Sequence, residues 1–194
     1  MGAQELIYVS PQKYLDTERL ALDKHEYFEG EVFAMSGASI VHNVLFKNTY
    51  IDLGIKLKGK KCQPYGSDLR IHIPKNSLYT YPDISIICDE IETTDDKFDT
   101  ITNPSVLFEI LSPSTQKYDR IEKFDLYREI DSLKEYIMIN SEKILVLQYI
   151  KNPDNSWLMM EYKSLDSSFT IQTVAVELKL SDIYFDINFS DTKK

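Results

Sequence analysis

Glu109 lies inside an apolar run of strand length, Val106 to Leu111. An ionised carboxylate is expensive to bury unless something pairs with it, so a glutamate in a core strand calls for a partner. Asp83 opens a second apolar stretch, Pro82-Asp-Ile-Ser-Ile-Ile-Cys88, which reads as a central strand covered on both faces. If the two strands are neighbours joined by the polar segment 89–102, their carboxylates can face each other at one end of a sheet. Two acids at a shared site repel unless a cation or a proton lies between them, and a divalent metal with oxygen ligands is the natural partner. Lys123 follows on a polar helix expected over about Asp119 to Ile130, where Asp119, Lys123 and Tyr127 fall at i, i+4 and i+8 on one stripe. The turn Ser112-Pro-Ser-Thr115 sends that helix back across the strand end and can place the ammonium beside the acids. Metal-assisted phosphodiester hydrolysis suits such a set. The metal lowers the pKa of a bound water, and the lysine stabilises developing charge or orients the water. The plainer reading of the same residues is a strand-capping aspartate and a glutamate neutralised by Lys123 in a structural ion pair.

The elements that must position these residues follow from pattern. Ser10 as N-cap and Pro11 at the first helical position start a short amphipathic helix running to about His25. Glu26 to Met35 reads as a hairpin turning at Gly30. Ile40 to Lys58 reads as a helix with Ile40, Val44, Leu45, Ile51 and Ile55 as its apolar stripe and Gly59 just past its end. Cys62 to Ile73 reads as a strand in which Leu69, Ile71 and Ile73 point one way and Asp68, Arg70 and His72 the other. Pro74 to Thr80 is expected as a loop, and 89–102 as a solvated acidic loop. Further strands are expected at Glu135–Ile139, Ile144–Ile150, Trp157–Tyr162 and Phe169–Ile171, with a frayed end from Ser190.

Composition narrows the function. With 194 residues, 43% hydrophobic and 12% aromatic, the chain is globular and most simply one domain. No apolar run approaches the roughly 18 residues of a membrane span, and the N-terminus has no signal-peptide pattern, so a cytoplasmic protein is expected. Two cysteines, Cys62 and Cys88, make neither a disulfide framework nor, with three histidines, a structural zinc centre; two reduced thiols are expected. A net charge of −9 argues against a simple phosphate-binding surface. It leaves a nuclease open, because an acid cluster carries negative charge until a metal reverses the local field.

The motifs in combination are more specific. Tyr81-Pro-Asp-Ile, Phe108-Glu-Ile-Leu-Ser-Pro-Ser-Thr115 and Tyr118-Asp-Arg-Ile-Glu-Lys-Phe-Asp-Leu-Tyr127 resemble the Uma-type family of putative restriction endonucleases, within the PD-(D/E)XK nuclease superfamily. Glu26-Tyr-Phe-Glu-Gly-Glu31, Ala34-Met-Ser-Gly-Ala-Ser39 with His42, and Ser67-Asp-Leu-Arg-Ile71 resemble that family's N-terminal half. The resemblance implies a restriction-endonuclease-like α/β (α+β) fold with a mixed central β-sheet flanked by helices. It divides a single domain into an N-terminal helix and hairpin arm (1–36), a nuclease core (37–150) and C-terminal strands and tail (151–194). Pro82-Asp83 stands at the superfamily's PD, Glu109 at its acid and Ile110 at its X. Leu111 stands where its lysine would be, and that lysine is carried instead by Lys123. Asp83 and Glu109 are then the ligands of Mg²⁺, with Mn²⁺ as a substitute, and Lys123 is the third catalytic group. Glu31 is a further ligand or water-orienting acid, His42 a phosphate contact or proton carrier, Asp68 a third acid, and Tyr127 an auxiliary residue or a core aromatic. The implied activity is DNA cleavage by a homodimer without an organic cofactor. The alternatives are a catalytically inactive binding module and a metal-dependent phosphohydrolase acting on small nucleotides.

Overall fold

The computed structural model describes residues 8–112 and 121–189. Chain order begins with α1 (Pro11–Glu18), capped by the Ser10 side chain, which accepts the Lys13 N–H. The helix stops at Glu18, well short of His25, and leaves Leu20 and Leu22 exposed. β1 (His25–Phe28) and β2 (Glu31–Ala34) form the expected hairpin. Glu29 and Gly30 take φ of 48° and 94°, the left-handed pair that suits the twist of a tight hairpin. A Cβ on Gly30 would lie 2.2 Å from the Tyr8 ring, so only glycine fits there.

α2 (Ile40–Leu57) follows, with Ser39 as its N-cap and Gly59, at φ 75°, just past its end. Its buried face is Leu45, Thr49, Leu53 and Leu57, whereas Ile40, Ile51 and Ile55 are exposed. The helix is apolar on more than one side. Of the expected stripe only Leu45 is fully buried, and packing against the sheet selects the i+4 ladder from Leu45 to Leu57.

Next come β3 (Gln63–Gly66), β4 (Arg70–Ile73), β5 (Leu78–Thr80), β6 (Ile84–Ile87), β7 (Thr100–Ile101) and β8 (Val106–Leu111). The stretch expected as one strand from Cys62 to Ile73 is two strands in different sheets, and the loop expected before Tyr81 contains β5. After the undescribed residues 113–120 come α3 (Lys123–Tyr127), β9 (Glu135–Asn140), β10 (Val146–Lys151), β11 (Trp157–Tyr162), β12 (Ser168–Ile171), β13 (Val176–Lys179) and α4 (Leu180–Ile183). The expected start of the α3 helix at Asp119, and the frayed end from Ser190, lie outside the described residues.

The architecture is α+β. A six-stranded mixed sheet, ordered β11-β10-β9-β8-β6-β3, stands at the centre. β8 and β9 run parallel; its other neighbours run antiparallel. One face, with Val106, Phe108 and Ile110, packs against α2, α4 and the β12–β13 pair. The other, with Leu107, Leu111, Tyr136 and Met138, packs against α3 and a five-stranded sheet ordered β2-β1-β5-β4-β7. With both faces covered, all six residues of β8 are buried. No helix among the described residues is long and apolar enough to cross a membrane.

The cysteines correct an expectation. Gln63 pairs with Ile87 across β3 and β6, and the next step of that register sets Cys62 beside Cys88, Cα atoms 3.9 Å apart, as a disulfide rather than two reduced thiols. A separation of 26 residues gave no hint of this pairing. The acidic segment 89–102 is also not merely solvated. Arg19 holds Asp95 and Asp99 at 2.6 and 2.7 Å, and buried Arg70 reaches Asp99 at 3.1 Å.

The Arg19 hydrogen bonds, against the opposing effect of burial and helped by Thr100 and Arg70, draw the Asp99 carboxyl from 3.8 down to about 2. A depressed native value means that the stability Asp99 contributes is present above the unfolded pKa and is lost as pH falls from about 4 towards about 2. Arg19→Met should flatten that acid limb of a Tm-against-pH profile. Because the pair is partly exposed, it should cost no more than about 1 kcal/mol near neutral pH.

Candidate active site

Strand register brings the two expected acids together. Ile84 of β6 pairs with Phe108 of β8, and one further step sets Asp83 opposite Glu109. Residues facing each other in this way share a face of the sheet. Here it is the face that carries Leu107 and Leu111 towards α3. The Ile110 N–H donates to Asp83 Oδ2 at 2.7 Å, so the β8 backbone fixes that carboxylate. His42 Nε2 lies 3.2 Å from the same oxygen. His42 comes from the first turn of α2, where its N–H donates to the Ser39 hydroxyl.

Glu109 is 5% exposed. Its Oε1 accepts the Tyr127 hydroxyl at 2.7 Å and lies 3.0 Å from Lys123 Nζ. Lys123 and Tyr127 are one helical turn apart on α3 and present both groups to the same oxygen. Tyr127 is fully buried. Burial, and then the Glu109 charge, push its hydroxyl well above 10, so it remains a proton donor to the carboxylate.

Lys123 has a second carboxylate partner that the sequence reading did not single out. Glu26 Oε1, from β1, lies 3.0 Å from the same ammonium. The Thr80 hydroxyl donates to that same Glu26 oxygen. The β1–β5 register explains the placement: Tyr27 pairs with Tyr79, so Glu26 stands across from Thr80. The signal available in sequence was of the same kind as for Glu109. Glu26 alternates with Tyr27, so it shares the face of Phe28, which packs into the core that holds Tyr127. The acid is therefore inward-facing in a strand that also carries Tyr27 and Phe28.

Glu26, His42, Asp83, Glu109, Lys123 and Ser112 line a cleft of about 780 Å³. Glu26 and Glu109 share the Lys123 ammonium, and Asp83 lines the same cleft. The other expected auxiliaries lie elsewhere. Glu31 is exposed at the start of the edge strand β2. Asp68 occupies the turn between β3 and β4, its side chain 97% exposed and paired with Lys24 at 2.6 Å. Asp119 lies outside the described residues. Leu111 is buried beneath α3 in the core shared with Phe124 and Tyr127. The helix covering that face supplies the ammonium that the strand lacks.

The chain is similar to known proteins along most of its length. A family model, Uma2, described as "Putative restriction endonuclease", matches residues 11–182. An uncharacterized protein of Synechocystis sp. is 35% identical over 181 residues, which is 93% of this chain and 94% of that protein. A second from the same organism is 36% identical over 149 residues, covering 77% and 84%. The crystal structure of "a putative nuclease belonging to DUF820" from Anabaena variabilis superposes with a TM-score of 0.68, covering 88% of this chain and 92% of that one. At 16% identity that likeness is one of fold.

The shared ammonium sets an order of stabilities. Lys123→Met removes the ammonium that Glu26 and Glu109 share and should cost about 3–5 kcal/mol in urea unfolding at neutral pH. Glu109→Gln leaves a one-to-one Lys123–Glu26 pair and an acceptor for Tyr127, and should cost only about 1–2 kcal/mol.

Proposed function

The chain belongs to the Uma2 family of putative restriction endonucleases, and from that premise we propose that it is a Mg²⁺-dependent endonuclease that hydrolyses phosphodiester bonds of DNA. The observation that carries the reading is the convergence, in one cleft, of Asp83 and Glu109 across neighbouring strands with the Lys123 ammonium 3.0 Å from Glu109.

The donor chemistry fits the cation. Asp83 and Glu109 offer hard carboxylate oxygens to the floor of the cleft, the ligand type that Mg²⁺ and Mn²⁺ prefer over nitrogen or sulfur. Among the described residues, Glu26 and Glu109 both lie beside the single ammonium of Lys123, which leaves negative charge for a divalent ion to balance. These two residues would hold it, and once bound it supplies Lewis-acid activation of water and neutralisation of phosphoryl charge. The remaining work belongs to the chain's own side chains. The Ile110 N–H and His42 orient the Asp83 carboxylate from two directions. The Tyr127 hydroxyl holds Glu109 in its rotamer. Lys123 places a fixed positive charge where the departing and attacking oxygens gain negative charge; being largely desolvated, that charge acts with little screening. A second copy of the chain cutting the opposite strand completes the reading as a homodimer.

The test is plasmid cleavage beside a calorimetric Mg²⁺ titration. Wild-type protein should cut with Mg²⁺, and with Mn²⁺ in its place. Asp83→Ala and Glu109→Gln should each lower the rate by at least about a hundredfold and weaken Mg²⁺ binding. Asp83→Ala protein that cuts as fast as wild type would refute the assignment. Hydrolysis confined to free nucleotides would move the reading to a phosphohydrolase, and wild type that neither binds Mg²⁺ nor cuts would move it to a binding module.

A further inference from the structure

Glu26 belongs to neither the metal pair nor the lysine, yet it lies within contact distance of the reacting cluster. Its carboxylate and that of Glu109 sit on either side of one ammonium, each 3.0 Å from Lys123 Nζ. One carboxylate would already compensate a buried lysine. A second, with its side chain only 13% exposed, adds a desolvation cost and leaves the triad net negative. Stability alone therefore gives a weak reason for Glu26. The Thr80 hydroxyl, delivered by strand register, fixes the very oxygen that meets Lys123. Glu26 is thus held towards the ammonium from a different sheet than Glu109.

We infer that Glu26 is the positioning residue for Lys123: it keeps the ammonium in place when Glu109 is engaged by a divalent cation. The inference rests on the metal-dependent reading above. A divalent ion on Glu109 competes with Lys123 for that carboxylate and repels its charge at close range. A lysine tethered by Glu109 alone would swing away when the ion binds. Glu26, anchored on β1 and steadied by Thr80, supplies a second attachment on the side away from β8. The ammonium then stays near the reacting phosphate with its charge intact, and little reorganisation is needed at the moment of reaction.

A double-mutant cycle tests whether Glu26 acts through Lys123. Glu26→Gln keeps the shape and the acceptor for Thr80. It should lower kcat about tenfold while KM and the Mg²⁺ affinity stay within about twofold of wild type. In a Lys123→Met background the same change should have no further effect on kcat. A kcat that Glu26→Gln leaves unchanged, or an effect of full size in the Lys123→Met background, overturns the inference. So does a loss of about tenfold or more in Mg²⁺ affinity, since Glu26 would then be a ligand.

A metal-free measurement separates this inference from the proposed function. Ammonium protons of a lysine are visible by ¹⁵N-edited NMR when the group is held and shielded from exchange, and the Lys123 signal is assigned by its loss in Lys123→Met. In Glu109→Gln protein the signal should persist, because Glu26 still holds the group. Adding Glu26→Gln should broaden it beyond its width in Glu109→Gln protein, and a signal that the second substitution leaves unchanged overturns the inference. If the double variant does not fold, Glu26→Gln alone decides: a broadened signal supports the hold and an unchanged one refutes it. Should wild-type protein neither bind Mg²⁺ nor cut, the nuclease reading falls, while this spectrum still reports whether Glu26 holds Lys123.

Discussion

One buried ammonium organises this molecule. Lys123 Nζ stands between a carboxylate of the five-stranded sheet and one of the six-stranded sheet, and it arrives on a helix packed across both. An unpaired charge in that position would be ruinous, so each of the three elements has to be present for the other two to settle. The hydrogen bonds around it extend the constraint. Thr80 fixes Glu26, Tyr127 fixes Glu109, and the β8 backbone fixes Asp83. The geometry of the candidate site and the tertiary structure are here the same set of contacts.

Behind the cleft lies a second polar layer. Tyr81, which follows β5 and lines the cleft, donates to buried Glu18 at 2.9 Å and accepts from Arg70 at 2.7 Å. Glu18 also receives the His25 N–H at 2.8 Å, so the end of α1 is tied to the start of β1, one residue before Glu26. Burial raises the Tyr81 hydroxyl to about 12, which keeps it a donor across the ordinary pH range. This layer explains why α1 ends at Glu18: the carboxylate that would have continued a helical surface is turned inward to bind three groups.

Much of the site was legible because a strand has a period of two and an antiparallel register has fixed partners. With β6 and β8 read as neighbours, Asp83 and Glu109 could face one another, and the strand register sets them opposite. The displaced lysine was legible because α3 follows β8 and must cross back over the face onto which Leu111 points. What resisted reading had a common cause, which is that the deciding partner was distant. Glu26 shares a face with Phe28, but only the distant Thr80 and Lys123 mark it off as part of the site. Ile51 and Ile55 continued the α2 pattern as well as Leu53 and Leu57 did, and only the sheet distinguished them. Cys62 and Cys88 met through a pairing of β3 with β6 that skips two intervening strands.

The hairpin described at the outset gives the cleft an uneven mechanical character. Its floor is β8, a strand with neighbours on both sides and every residue buried. Its rim includes Phe33, Ala34 and Met35, at and just past the end of β2, an outer strand whose four residues are all exposed and which is hydrogen-bonded to β1 alone. Segments with so few buried contacts open at low energetic cost, whereas a covered central strand moves only with the whole domain. The molecule therefore works like a vice with one fixed jaw and one sprung jaw. Displacement of the rim therefore leaves the spacing of the groups on the floor unchanged.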